Sequence, residues 1–258
     1  MTNTTPTRFQ AKRLWWPLLL LTLAALVISA VQYRKKSHIR ELVVDIEPLE
    51  GGNLMVTSSD IRTAIDRAFG FPMEGLPMQD IDVARIEKVL EKDPLILNAD
   101  VFVDARSDLR VKIEQRLPLL RVIDQDGKNY YLDENGIRMP LSRHFSVRVL
   151  AANGSIPPHV PDFLERKKHG LKDLFLLATE ISGDPFLHGM IQQIYVNNKG
   201  EFILAPMVGD QLILMGTYRD MAEKLRKLKI FYKEAIPYEG WRKYSVIDLR
   251  YRGQVVGR

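Results

Sequence analysis

Cysteine is absent from the 258 residues, which excludes a disulfide framework, a thiolate nucleophile and any Cys-ligated zinc or iron–sulfur site. It does not fix the compartment. Histidine is scarce: His38, His144, His159, His169 and His188 never approach H-x-x-x-H or H-E-x-x-H spacing. There is no G-x-S-x-G elbow, S-x-x-K motif or P-loop, and Gly51-Gly52 reads as a turn. Paired carboxylates such as Asp80/Asp82 and Glu87/Glu91 fall on expected helices beside basic neighbours, where solvated faces account for them without acid–base work. We therefore expect no catalytic residues, metal, cofactor or small-molecule substrate. A triad assembled from distant residues stays open, so an anchored envelope enzyme remains an alternative.

Acidic residues are missing from the first 36 positions, which carry Arg8, Lys12, Arg13, Arg34, Lys35 and Lys36. Those six account for the net charge of +5: of 37 Lys and Arg, 31 remain against 32 Asp and Glu over residues 37–258, a balance of −1. A nucleic-acid binder needs a basic face to displace phosphate counterions, and a near-neutral body offers none. Hydrophobic content of 46% excludes a wholly solvated, unstructured chain.

Charge is also absent from residues 14–33. As helix this run measures about 30 Å, the thickness of a bilayer's hydrocarbon core. Trp15 and Trp16 at one end and Tyr33 at the other occupy interfacial positions. The expectation is a transmembrane helix over 14–33, a segment 1–13 before it and a basic stalk 34–38 after it. A cleaved signal peptide starts with a similar basic region, but the apolar stretch is long and Ile28-Ser29-Ala30 is a poor cleavage site. Charge leaves the orientation open, because Arg8, Lys12 and Arg13 are balanced by Arg34, Lys35, Lys36 and Arg40.

Residues 39–46 read as a β-branched-rich strand. Thr57 is expected to cap a helix with Asp60 three residues on. Its apolar face holds Ile61, Ala64, Ile65, Ala68 and Phe69. A second helix opens near residues 80–82, presents Val83, Ile86, Val89 and Leu90, and stops at Asp93-Pro94. Val101, Val103 and Ala105, then Leu109, Val111 and Ile113, alternate as two strands about a turn at 106–108. The order strand–helix–helix–strand–strand suits a three-stranded sheet with two helices on one face.

A second module begins near Leu117-Pro118. Turn signals at 124–127 and 133–136 flank a short strand at 129–132. Asp124, Asp126 and Asn129 lack calcium-loop spacing, and a hairpin turn is the simpler account. Pro157, Pro158 and Pro161 mark a loop, and 171–181 reads as a helix. Strands follow at 192–196, 201–205 and 211–215. Thr217 is expected to cap a helix to about residue 234, with Met221, Leu225, Leu228 and Phe231 inward. Its polar face carries Arg219, Lys224, Arg226, Lys227, Lys229 and Lys233, read as solvated in preference to a lipid or partner patch. The last expected strand is 244–251, whose edge a partner strand could join.

Three stretches together resemble the FtsQ/DivIB family of bacterial cell-division proteins: LRVKIEQRLP (109–118) closing the first module, YLDENG (131–136) opening the second, and KLRKL (224–228) followed by IDLRY (247–251). The resemblance implies an α+β chain. It would have one N-terminal transmembrane helix, a βααββ POTRA domain at 39–116, and a mixed, largely antiparallel β-rich domain with flanking helices at 117–258, ending in an edge strand. It implies a non-enzymatic divisome scaffold in the inner membrane at the septum, N-terminus cytoplasmic and body periplasmic. The implied partners are FtsB-like and FtsL-like bitopic proteins and other divisome components, linked to septal peptidoglycan synthesis. By family position, partner capture falls on Tyr251, with Arg250, Arg252, Gly253, Gln254 and Val255. The sequence departs from members with a tryptophan close behind this motif, since Val256, Gly257 and Arg258 follow instead. A POTRA-containing translocation or assembly factor is the alternative; such chains usually carry several POTRA repeats or a β-barrel, and neither pattern is present.

Overall fold

The computed structural model describes residues 15–258, with the side chains at positions 15, 17, 18, 28 and 30–36 outside the described set. The expected segment 1–13 and Leu14 therefore lie outside the described residues. Helix α1, Trp15–Lys36, is 22 residues long. It continues through the basic residues expected as stalk, where a helix C-terminus favours cations. Counted on described residues alone, no helix is long and apolar enough to cross a membrane.

The chain divides into two compact units: one holds the chain up to Asp45 with Ser58–Leu90 and Ala99–Lys112, the other Ile46–Thr57, Glu91–Asn98 and Ile113–Arg258. The first three strands, β1 (Leu42–Ile46), β2 (Ile96–Val103) and β3 (Leu109–Gln115), form a sheet of order β1-β3-β2. Between β1 and β2 come α2 (Ser58–Phe69) and α3 (Val83–Leu90), giving the expected βααββ order. Ile61 and Ile65 of α2 and Ile86 and Leu90 of α3 are buried, which is what their helical spacing requires. Helix α2 starts one residue after Thr57. Asp82 opens α3, its carboxylate accepting from the Arg85 N–H at 3.0 Å. Strand β2 starts at Ile96, five residues before the expected alternation. Ala105 has already left it, because the Asp104 carboxylate turns the chain by accepting from the N–H groups of Arg106 (2.7 Å) and Asp108 (3.0 Å).

The second unit carries a nine-stranded sheet of order β12-β11-β10-β9-β8-β7-β4-β5-β6. Its strands are β4 (Pro118–Ile123), β5 (Asn129–Asp133), β6 (Arg138–Met139), β7 (Leu150–Gly154), β8 (Ile191–Val196), β9 (Phe202–Pro206), β10 (Leu212–Gly216), β11 (Val246–Asp248) and β12 (Val256–Gly257). Five pairings are antiparallel and three parallel. Two of the parallel pairings need helical crossovers: α4 (Gly170–Gly183) and α5 (Pro185–Met190) carry the chain from β7 to β8. Helices α6 (Met221–Ile230) and α7 (Ile236–Glu239) carry it from β10 to β11. Leu174, Leu177, Ala178 and Ile181 of α4 and Met221, Leu225 and Leu228 of α6 share one core with the inward strand residues Leu120, Ile194, Leu204, Ile213 and Ile247.

Both expected hairpin turns form by one device. Asp124 Oδ1 accepts from the N–H groups of Asp126 (3.0 Å) and Lys128 (2.9 Å), and Asp133 Oδ1 from those of Asn135 (2.9 Å) and Ile137 (2.7 Å). The expected Thr217 cap is corrected: α6 starts at Met221, and Asp220 holds the cap position in left-handed backbone at φ 53° with no side-chain cap bond. Beyond α6 the helix widens to a π turn, Phe231–Ala235, before α7, because Pro237 has no N–H to donate one turn back. The charged face of α6 is also less solvated than expected. Lys229 pairs with Asp184 at 2.5 Å, Lys227 with Glu223 at 2.5 Å, and Lys224 Nζ donates to the Met215 carbonyl at 2.7 Å.

Candidate functional site

The expected strand over 244–251 is replaced by two short ones. Strand β11 keeps only Val246–Asp248, the chain reverses, and β12 returns antiparallel with Ile247 opposite Gly257 and Asp248 opposite Val256. Asp248 is the cause. Its carboxylate is fully buried, and it draws the chain back by accepting from the Arg250 main-chain N–H (3.1 Å) and from Arg250 Nε (2.9 Å) and Nη2 (2.7 Å). The stem of Arg250 lies over Gly216, where a Cβ would come 3.1 Å from Arg250 Cγ. Ile247 and Leu249 on either side are buried in the core. The strand is thus fastened inward while residues 251–254 are presented outward, with Gly253 at φ 80° allowing the reversal.

Beyond the turn, β12 is the terminal strand of the sheet, and among the described residues one of its two edges pairs with no strand. It is held to β11 through Arg258, whose N–H donates to the Val246 carbonyl (2.9 Å) and whose carbonyl accepts from Val246 (3.0 Å) and Ser245 (2.6 Å). Gly257 lies against the Tyr244 ring; a Cβ there would fall 2.5 Å from Tyr244 Cδ1. Gly257→Ala is expected to loosen β12 at a cost on the order of 1 kcal/mol, because the half-buried ring must yield. Faster hydrogen exchange at the Val246 and Arg258 amides, with the rest of the sheet unchanged, is the outcome that checks it.

Two cavities flank the turn. One, of about 480 Å³, is lined by Thr217, Lys224, Leu249, Arg250, Tyr251 and Arg252 among others. The second, of about 370 Å³, is lined by Ile230, Phe231, Ala235, Gly253, Gln254 and Val255 among others. Lys227 of α6 borders both. Tyr251 is 45% exposed.

The electrostatics separate Arg250 of the motif from Arg252 just beyond it. The hydrogen bonds from the Arg250 guanidinium, with its charge, hold the Asp248 carboxyl below the usual carboxylate range against the opposing effect of burial. The same pairing raises Arg250. Arg250 is thus committed inward, whereas Arg252 is exposed. Burial pushes the Lys224 ammonium down while the Met215 carbonyl holds it on the cavity wall.

The structure gathers all six expected site residues on one turn and its exit into β12. Tyr251, however, sits in the turn and not on a strand, and the open edge belongs to Val256 and Gly257. The roles of Asp248, Gly257, Tyr244 and the α6 wall were missed. Of these, Asp248 left a signal as an acid set between two apolar residues, and the α6 wall left one in the KLRKL stretch, whose polar face reads as solvated. Among the described residues, no group of three or more metal-ligating side chains gathers.

Residues 117–258 match a family model described as "FtsQ/DivIB, C-terminal related", and residues 40–114 match one for a POTRA-like domain. A curated relative, "Cell division protein FtsQ" of Rhodothermus marinus, is 28% identical over 188 residues, covering 71% of this chain and 68% of its own length.

Proposed function

Because this chain belongs to the FtsQ/DivIB family of cell-division proteins, we propose that it is a non-enzymatic divisome scaffold capturing FtsB-like and FtsL-like bitopic partners at its C-terminal edge. Through them it would engage septal peptidoglycan synthesis. The observation that supports this most directly is the unpaired edge of β12, set beside an exposed tyrosine and two cavities. A partner strand laid along that edge gains main-chain hydrogen bonds worth only about 0.5–1.5 kcal/mol net each. Much of the affinity would then come from side chains seated in the flanking cavities, the apolar one between α6 and residues 253–255 above all.

The same reading assigns residues 39–116 to the POTRA domain and 117–258 to the β domain. It places α1 across the inner membrane: an uncharged run of about 30 Å matches the hydrocarbon core, and Leu19, Leu20, Leu21, Leu23, Leu26 and Val27 are exposed. The N-terminus is assigned to the cytoplasm and the body to the periplasm at the division septum.

In-cell photo-crosslinking from positions 251 and 256, with mass spectrometry of the captured chain, tests the proposal. Capture of a small single-span coiled-coil protein is the expected result. Silence at both positions, with capture from a probe in residues 39–116, would move the partner site to the POTRA domain.

A further inference from the structure

A second cluster lies away from this edge, where residues 157–169 wrap over the β5–β6 turn and lead into α4. The segment is anchored by one deeply buried side chain, Phe163, at 1% exposure. Gly136 makes room for it: a Cβ there would sit 2.9 Å from Leu164 Cδ1 and 3.0 Å from Phe163 Cζ. Two histidines flank the Phe163 ring, with centroids 5.5 Å away for His159 and 6.2 Å for His169, and Phe175 of α4 closes the set at 5.8 Å. Residues 165–168 are exposed. Main-chain bonds inside the segment are local, from Phe163 N–H to the Val160 carbonyl (3.1 Å) and Glu165 N–H to the Asp162 carbonyl (3.0 Å). Val160 and Leu164 pack against the core only in part, so a segment with one fully buried side chain and an exposed run lies toward the low end of local stability.

We propose that residues 157–169 form an acid-released strap, in which protonation of His159 and His169 frees the segment from the β5–β6 turn and the head of α4 and uncovers Phe163. His169 occupies the N-cap position of α4 and makes no side-chain cap bond. A positive ring there opposes the helix dipole. Its Nδ1 is buried without a hydrogen-bond partner among the described residues, and the cation would carry a proton on that atom with nothing to accept it. His159 faces the Tyr130 ring of β5 at 6.1 Å; Arg138 of β6, 4.7 Å from that ring's centre, already supplies a positive charge.

Burial holds both rings below the ordinary value of 6.5. Arg138 and His169 reinforce this at His159, where the Gly136 carbonyl opposes it; Arg166 reinforces it at His169, where Asp162 and Asp173 oppose it. Asp162 is committed to Arg166 at 3.0 Å, and burial raises the Asp173 carboxyl, so neither acid is a ready counter-ion. Released rings bind protons that docked rings exclude. The strap's hold is therefore complete above about 6.5 and is lost as pH falls below it.

The test is hydrogen exchange on the full-length chain in lipid nanodiscs, at about pH 7.5 and about pH 5.5, corrected for intrinsic exchange rates. Protection at the Phe163, Glu165 and Asp173 amides is expected to fall at the lower pH, with β8–β10 unchanged. His159→Phe combined with His169→Asn, which keeps a ring and a capping side chain, is expected to abolish that fall. Unchanged protection in the native chain, or an equal fall in the double variant, would overturn the proposal. Should the double variant not fold, ring titration of the native chain decides it: both histidines must titrate below 6.5, and either at or above that value refutes the strap.

Discussion

Tyr251→Glu is expected to lower capture of the proposed FtsB-like partner by at least about tenfold, equivalent to about 1.4 kcal/mol. The β domain's stability should stay within about 0.5 kcal/mol, the usual range for a surface change. Tyr251 projects from a turn whose neighbours on both sides are fastened. Leu249 is buried, Arg250 is bound to Asp248, and Val255 packs partly against the core. The main chain that carries the ring is therefore held at both ends of the turn, which lowers the entropic cost of presenting it. A carboxylate in its stead adds charge that the partner must desolvate. Tyr251→Phe keeps the ring area and is expected to bind nearly as the native chain does. Co-purification of partner with each full-length variant is the readout. Undiminished capture by a folded Tyr251→Glu chain would remove Tyr251 from the interface.

Arg250→Ala acts on the fold before it acts on the partner. It strips the fully buried Asp248 carboxylate of its bidentate partner and leaves Arg258, 4.0 Å away, as the nearest cation. Breaking a wholly buried pair costs about 3–5 kcal/mol. Arg250 is 40% exposed, so solvent screens part of the interaction and about 2 kcal/mol is the expected loss. The pH dependence has a definite sign. Asp248 is held below its ordinary value of 3.8, so the unfolded chain takes up that proton first as pH falls. The pair's contribution is complete above about 3.8 and drains as pH drops through the lower folded value. In Arg250→Ala, acid unfolding should begin at higher pH than in the native chain, as followed by circular dichroism. Coincident acid transitions would show that Asp248 does not depend on Arg250.

The two variants also separate a contact residue from a positioning residue. Tyr251→Glu should lose partner without losing stability. Arg250→Ala should lose both, with the binding loss relieved at conditions where the turn is still folded.

Periodicity alone placed α2, α3, β3 and β8 to β10 within a few residues, because each buries one face and its sequence repeats at that face's spacing. Asp124 and Asp133 were equally legible as turns, since an aspartate closes such a turn on its own backbone. Strands β4, β6, β7 and β12 escaped a sequence reading. Pro118 opens β4, β6 and β12 are two residues long, and β7 is built largely of Ala, Asn and Gly, so no alternation stands out. Their strand character comes from the neighbours they pair with. The site divides in the same way. The IDLRY motif marks in the sequence the turn at which partner capture is proposed, and it is one of the three stretches that carry the family likeness. That Arg250 turns inward, Tyr251 outward, and the free edge passes to Val256 and Gly257 was decided by the burial of Asp248, whose carboxylate, removed from water, had to gather its own counter-charge and bent the chain to do so.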